Sequence, residues 1–157
     1  MPELDSAFID FLIAAKTNTY AASSRPGFAA TVAQSRPGSR DMAYQTGPYT
    51  YRDSYFGGYA FLGDEVVWHS DTPIWGMSYH GSMLSPAIPP GFSDFLKLAL
   101  SSPPRSAPYR GPTTFESDPF AYTCSWHGSL SRFNGEESIR QGGAVIYTLT
   151  FIGGELR

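Results

Sequence analysis

The side chains with which this sequence can do chemistry are few: three histidines, one cysteine, fourteen carboxylates and eleven cationic residues. His69, His80 and His127 fall at no H-x-x-x-H or C-x-x-C spacing, so no metal site is expected. Cys124 sits in a strand-like run without the sharp strand-to-helix turn of a nucleophile elbow, and reads as a buried strand cysteine. No glycine-rich segment follows a strand and opens a helix, which removes phosphate cradling of that style. The acids remain. Glu65 and Glu137 each stand two residues after a glycine, in Phe61-x-Gly63-x-Glu65 and Phe133-x-Gly135-x-Glu137. A carboxylate there can accept turn N–H groups or pair across strands. As a pair lining one cleft, such acids can do acid–base work, with Asp53 and His80 as further members. No residue is assigned as catalytic, and no cofactor is expected.

A ligand-binding set is better marked. Tyr51, Asp53 and Tyr55 alternate along one strand and share a face. Trp68, Trp75 and Tyr79 follow within a few residues, while Arg40 and Glu65 supply further polar groups. Aromatic walls with a few oriented polar groups are the composition of a small-molecule site. The competing reading is core packing, which aromatic side chains also dominate. Arg25, Arg36 and Arg40 lie in a Pro-, Gly- and Ser-rich stretch, where guanidinium forks can meet an anion or simply face water.

The elements that must hold these residues repeat along the chain. Ile74-Trp75-x-Met77-x-Tyr79-x-Gly81 is matched by Ile146-Tyr147-x-Leu149-x-Phe151-x-Gly153, and the Phe-x-Gly-x-Glu runs keep the same offset of 72 positions (61 to 133, 81 to 153). Phe8-x-Asp10-Phe11-Leu12 is echoed by Phe92-x-Asp94-Phe95-Leu96. Searching for such internal periods comes before any single-element assignment. Apolar residues at Leu4, Phe8, Phe11, Leu12 and Ala15 have helical spacing over 3–16, with Pro2 tolerated near the start. A second helix is expected over about 91–100.

Strands are expected from Tyr49 onward, with Gly57-Gly58 as a bulge or bend within a strand. Turns are expected at Gly63-Asp64, at Asn134-Gly135 and at Gln141-Gly142-Gly143. A four-residue turn, Ser70 to Pro73, would place Trp68 opposite Trp75 and Val66 opposite Met77. Residues 17–48 and 101–118 read as loops, and 82–91 as a Pro-rich connection.

Several runs together resemble a bacterial family of uncharacterised domains, whose members stand alone or attached to Cro/C1-type helix-turn-helix regulators. These runs are the early Phe-x-x-Phe-Leu helix, Arg36-Pro37-Gly38-Ser39, Tyr51-x-Asp53-x-Tyr55-Phe56-Gly57, both Phe-x-Gly-x-Glu runs, Pro73 to Gly81 and Arg110-Gly111-Pro112. Ser78-Tyr79-His80 departs from the Asn-Tyr-Tyr-like run of that family. The attachment to DNA-binding modules implies, by analogy, that the domain senses something. The element order, read cyclically, is also similar to that of GyrI-like and SOUL-type effector-binding domains, which implies a ligand between two halves.

The expectation is therefore an α+β fold built as a duplicated α-β-β-β unit. It has six antiparallel strands in a curved sheet or partial barrel, with two helices on one face, in a single domain 1–157 with pseudo-repeats near 3–81 and 91–154. Its expected role is a sensor or regulatory module binding an unknown small molecule through Trp75, Tyr79, Trp68, Tyr51, Tyr55, Asp53, Arg40 and Glu65. A hydrolase-like enzyme and a protein-interaction module are the alternatives. Net charge is −3, which provides no basic stripe for direct nucleic-acid binding. No apolar run approaches a membrane span, and neither a basic leader nor a cleavage site is visible. One cysteine suits a reducing cytoplasm, and association into a homodimer is open.

Overall fold

In the computed structural model, residues 3–157 are described; Pro2 lies outside them. Asp5 caps the first helix, its side chain accepting the Phe8 N–H at 3.0 Å and so satisfying an amide that the first turn leaves unpartnered. Helix α1 spans Ser6–Asn18 and buries Phe8, Phe11, Leu12, Ala15 and Lys16. The apolar members are the stripe expected from spacing; the buried lysine is not. A short 3-10 turn, Tyr20–Ala22, follows. The strands are β1 (Thr31–Val32), β2 (Arg40–Thr46), β3 (Tyr49–Gly57), β4 (Ala60–His69) and β5 (Thr72–Met83). After α2 (Phe92–Ala99) come β6 (Thr114–Ser117), β7 (Phe120–Ser129), β8 (Arg132–Gln141) and β9 (Ala144–Glu155).

All nine strands form one antiparallel sheet in the order β1-β2-β3-β4-β5-β9-β8-β7-β6. This corrects the expected six strands; among the described residues β1 and β6 are the two edges of the sheet. The added strands come from stretches read as loops. β2 pairs along β3 from Arg40↔Tyr55 to Thr46↔Tyr49. Its hydrophobic alternation is broken because it buries an acid: Asp41 accepts Ser39 Oγ at 2.6 Å and Arg52 Nε at 2.8 Å. β1 and β6 are two and four residues long, too short for a period of two to register.

Register separates the rest. The β4–β5 turn is two residues, Ser70 and Asp71, both at positive φ, as a type I′ hairpin requires. A bulge between Val67 and Trp68 sets Val67 opposite Trp75 and Glu65 opposite Met77. The four-residue turn and the Trp68–Trp75 pairing are thus corrected. Side chains alternate along a strand, so the one-residue shift exchanges faces: Glu65 and Val67 turn inward, Val66 and Trp68 outward.

Gly63-Asp64 and Asn134-Gly135 are not turns either. They lie inside β4 and β8, and Gly57 ends β3 instead of bulging within a strand. The glycines of these motifs have a different task. Phe61 lies opposite Gly81 and Tyr79 opposite Gly63; in the other half, Phe133 lies opposite Gly153 and Phe151 opposite Gly135. A Cβ on Gly63 would stand 2.6 Å from Tyr79 Oη, one on Gly81 2.5 Å from Phe61 Cζ, and one on Gly153 2.7 Å from Phe133 Cζ. Each glycine is the floor on which a cross-strand aromatic ring lies.

Both helices cover the same sheet face. Phe8 of α1 meets Trp75 at a ring-centroid distance of 6.1 Å, and Phe92 of α2 meets Tyr147 at 5.3 Å. The segment between α2 and β6 lies over the same face, where Tyr109 stacks on Phe133 at 3.8 Å. Aromatic pairs of this kind contribute about 0.5–1.5 kcal/mol each beyond the area they bury.

Candidate functional site

The inner face of the sheet carries a line of charge beneath those covers. Strand alternation points Tyr51, Asp53 and Tyr55 of β3 inward, beside Glu65 of β4. Because Gly63 has no side chain, Tyr79 of β5 reaches across β4 and donates its hydroxyl to Asp53 Oδ1 at 2.6 Å. Lys16 of α1 donates to both oxygens of Glu65 at 2.9 Å and to the Tyr109 carbonyl at 2.8 Å, which satisfies all three of its protons. Tyr51 also donates to Glu65. On the far side, Arg110 forks onto Glu137 through Nε at 3.0 Å and Nη2 at 2.5 Å. Tyr122 and Tyr147 donate to the same carboxylate at 2.6 and 2.8 Å. Gly111 explains why Arg110 can sit there: its N–H donates to Tyr122 Oη at 2.9 Å, and a Cβ on it would strike that ring at 2.8 Å.

Between this floor, α2 and the 3-10 turn opens a cleft of about 260 Å3. Asp53, Tyr79 and Arg110 line its base, Tyr20, Tyr55, Phe61 and Phe92 its walls, and Arg40 and Lys97 its mouth. The size falls just under the range of roughly 300–1,000 Å3 common for ligand pockets. Among the described residues, Asp53 has no cation within ion-pair distance, although it is only 5% exposed. Burial and the neighbouring Glu65 charge raise its carboxyl to about 7, against the lowering effect of the Tyr79 hydrogen bond, Lys16 and Arg110. Burial likewise pushes the Tyr20 hydroxyl up to about 12. Lys16 is lowered by burial against the pull of Glu65.

Of the residues expected to bind a ligand, Tyr79, Asp53, Tyr55 and Arg40 come together at the cleft. Tyr51 and Glu65 lie one step deeper, around a void of about 30 Å3 shared with Lys16 and Asp53. Trp75 is fully buried in the core, stacked on Phe133 at 5.6 Å and donating Nε1 to the Leu130 carbonyl at 3.1 Å. Trp68 stands on the outer face by the regular alternation of β4, one position from the inward Val67.

Lys16, Arg110 and Tyr20 were not singled out as site residues. The first two are cations whose partners stand 49 and 27 positions away, and no local pattern reports such a distance. Arg110-Gly111 next to a Phe-x-Gly-x-Glu run was the available signal. His80 is exposed on the outer face, opposite in strand alternation to Asp53 and Glu65, so it cannot join them in proton transfer. The Cys124 thiol is pushed up to about 12 by burial and by Glu137, which leaves it a poor nucleophile. Among the described residues, no group of three or more His, Cys, Asp or Glu is placed to hold a metal ion, and no helix is long and apolar enough to cross a membrane.

Residues 53–156 match the family described as "Domain of unknown function (DUF5680)". The matched span begins at Asp53 and takes in Glu65, Tyr79, Arg110 and Glu137, the polar centre of the inner face. Ser78 and His80 point outward on either side of Tyr79, away from the cleft. No curated protein and no solved structure matches the chain.

Proposed function

The chain belongs to the DUF5680 family of domains of unknown function, and from that premise we propose that it is a small-molecule-binding domain, with the cleft over Asp53 as its binding site and a sensing or regulatory role in the bacterial cytoplasm. One observation carries this reading: a nearly buried carboxyl group, without a cationic partner among the described residues, faces an aromatic-walled cleft. An ionised group in such a place is costly unless something pairs with it. A structural carboxylate is normally satisfied from within, as Glu65 and Glu137 are here. Asp53 is the exception among the three, and its pairing is left to what enters the cleft.

The matched offsets of the two halves also favour an origin by duplication. Glu65 and Glu137 each accept a tyrosine hydroxyl from the preceding strand and a cation from outside the sheet. In this reading one half kept a closed polar centre and the other opened a binding site.

The test is native mass spectrometry of protein purified from its own host, together with a thermal-shift screen of metabolites. A co-purifying small molecule, or a melting temperature raised by several degrees with one compound class, is the expected result, since a ligand that binds only the folded state stabilises it by mass action. The shift should vanish in Tyr55→Ala, which removes a wall of the cleft. No adduct and no shift across a broad library would remove the binding role.

A further inference from the structure

Resting on the cleft as a binding site, we propose that its ligand is a small zwitterion, held with a protonated amine on Asp53 and a carboxylate or phosphate between Arg40 and Lys97 at the mouth. The argument is one of unmatched charge at two depths. The buried floor holds Lys16, Arg110, Asp53, Glu65 and Glu137. Two cations face three carboxylates. Lys16 is committed to Glu65 and Arg110 to Glu137, which leaves one negative charge, at Asp53, served among the described residues only by the Tyr79 hydroxyl. A desolvated carboxylate without a cation takes up a proton or waits for a cation, and the raised proton affinity of Asp53 is the mark of that deficit. An ammonium group entering the cleft supplies the missing charge. The rings of Tyr55 and Phe61 flank its path and add a cation–π attraction.

The mouth has the opposite imbalance. Arg40 stands on the inner face of β2 opposite Tyr55, and among the described residues its side chain has no hydrogen bond or ion pair. Lys97 lies over the Tyr20 ring at 5.5 Å and, among the described residues, donates only to Ser24 Oγ at 2.9 Å. The one carboxylate near it along α2, Asp94, accepts from Ser24 instead, at 3.1 Å. Two cations at the rim and one anion at the base fit a ligand with both signs, inserted amine first. A simple anion would meet Asp53, and a simple amine would leave the rim unused. The cleft volume limits the ligand to metabolite size.

The proposal is tested by calorimetry and thermal shift with a compound library sorted into zwitterions, amines, anions and neutral molecules. Tyrosine and O-phosphoethanolamine represent carboxylate and phosphate zwitterions; tyramine, 4-hydroxyphenylacetate and 4-cresol represent the other classes. Zwitterions should bind roughly tenfold or more tightly than singly charged analogues, the scale of one charge-assisted hydrogen bond. Which zwitterion is preferred identifies the anionic end. Affinity should rise from pH 5.5 to pH 8, with a proton released on binding at the lower pH as Asp53 ionises.

Asp53→Asn, which keeps the shape of the side chain, should lose about tenfold or more for zwitterions and amines and nothing for anions. Arg40→Ala with Lys97→Ala, both at the mouth, should reduce zwitterions to the level of tyramine. Hits confined to anions or neutral compounds, or an Asp53→Asn protein that binds amines as well as the wild type does, would overturn the charge assignment and leave the cleft as a binding site. No hit in any class would remove the binding site itself.

Discussion

Asp53 sets the clearest residue-scale expectation. Its carboxyl is raised from the ordinary 3.8 to about 7 in the folded protein, so between these values the folded state binds more protons than the unfolded one. Stability contributed by this group is therefore present at low pH and is lost as pH rises through about 7. Asparagine carries no charge and can still accept the Tyr79 hydroxyl. Asp53→Asn is therefore expected to be more stable than the wild type by about 1–3 kcal/mol at pH 8, with the difference shrinking as pH falls below about 7 and closing at about pH 4. Urea denaturation of both proteins at four pH values checks this, and a difference that does not change with pH would contradict it. Asp41 works in the opposite direction. Burial raises it, but hydrogen bonds from Ser39, Ser35 and Arg52 outweigh burial and hold it well below the usual range, so its contribution is lost on acidification. Comparing variant with wild type separates the two effects. Glu137 bears on stability more than on pH. Removing it leaves the Arg110 guanidinium, 10% exposed, without a counter-charge, together with two tyrosine hydroxyls. Glu137→Ala should cost about 3–5 kcal/mol in the same denaturation assay.

At the scale of elements, the sheet is organised by aromatic rings lying over glycines. The pattern sits at the crossings of β4 with β5 and of β8 with β9. Hairpin statistics favour Asn-Gly as a turn, yet Asn134-Gly135 stays extended because Phe151 needs the space above Gly135: a Cβ there would meet its Cε2 at 2.8 Å. Overpacking such a position costs about 1–3 kcal/mol, and this is the loss expected for Gly135→Ala and Gly63→Ala. Gly58→Ala is the control, since nothing lies within 4 Å of its Cβ, and it should be near neutral. Gly63→Ala carries a second consequence. It displaces the Tyr79 hydroxyl, whose hydrogen bond lowers the Asp53 proton affinity, so Asp53 should titrate at higher pH in that variant, as read by carboxyl carbon NMR. An unchanged titration would mean that Tyr79 does not hold Asp53.

At the scale of the molecule, nine strands hang on one central pair. β5 and β9 pair from Trp75↔Glu155 to Met83↔Tyr147, joining the five-strand run β1–β5 to the four-strand run β6–β9. The cover on the inner face is assembled from α1, the 3-10 turn, α2 and the segment carrying Tyr109 and Arg110, so the cleft is a gap between separate covers. Opening free energies are largest where pairing and burial are complete on both sides. Amide hydrogen exchange should therefore be slowest in β5 and β9 and fastest in the edge strands β1 and β6, and a ligand in the cleft should slow exchange in β3 and α2 before the centre of the sheet. Equal protection across all nine strands would show that the central pair has no special part in stability.

The sequence by itself determined what repeats locally. Apolar spacing gave the two helices, alternation gave β3, β5 and β9, and the Gln141-Gly142-Gly143 turn followed from residue types alone, whereas β4 and β8 run through the positions where turns were expected. The shared inward face of Tyr51, Asp53 and Tyr55 on β3 was readable from the same alternation. Tertiary structure decided whatever depended on a partner far along the chain. β2 exists because β3 offers it an edge and because Arg52 and Ser39 satisfy its buried Asp41. Trp75 became core because a bulge at Ile74 shifted the register of β5 on β4, while Trp68 faces outward by the alternation of β4 itself. Lys16 and Arg110 became the counter-charges of Glu65 and Glu137 through burial under shared covers. The open cleft over Asp53 follows from the same cause: two carboxylates found cations across the fold, and the third did not.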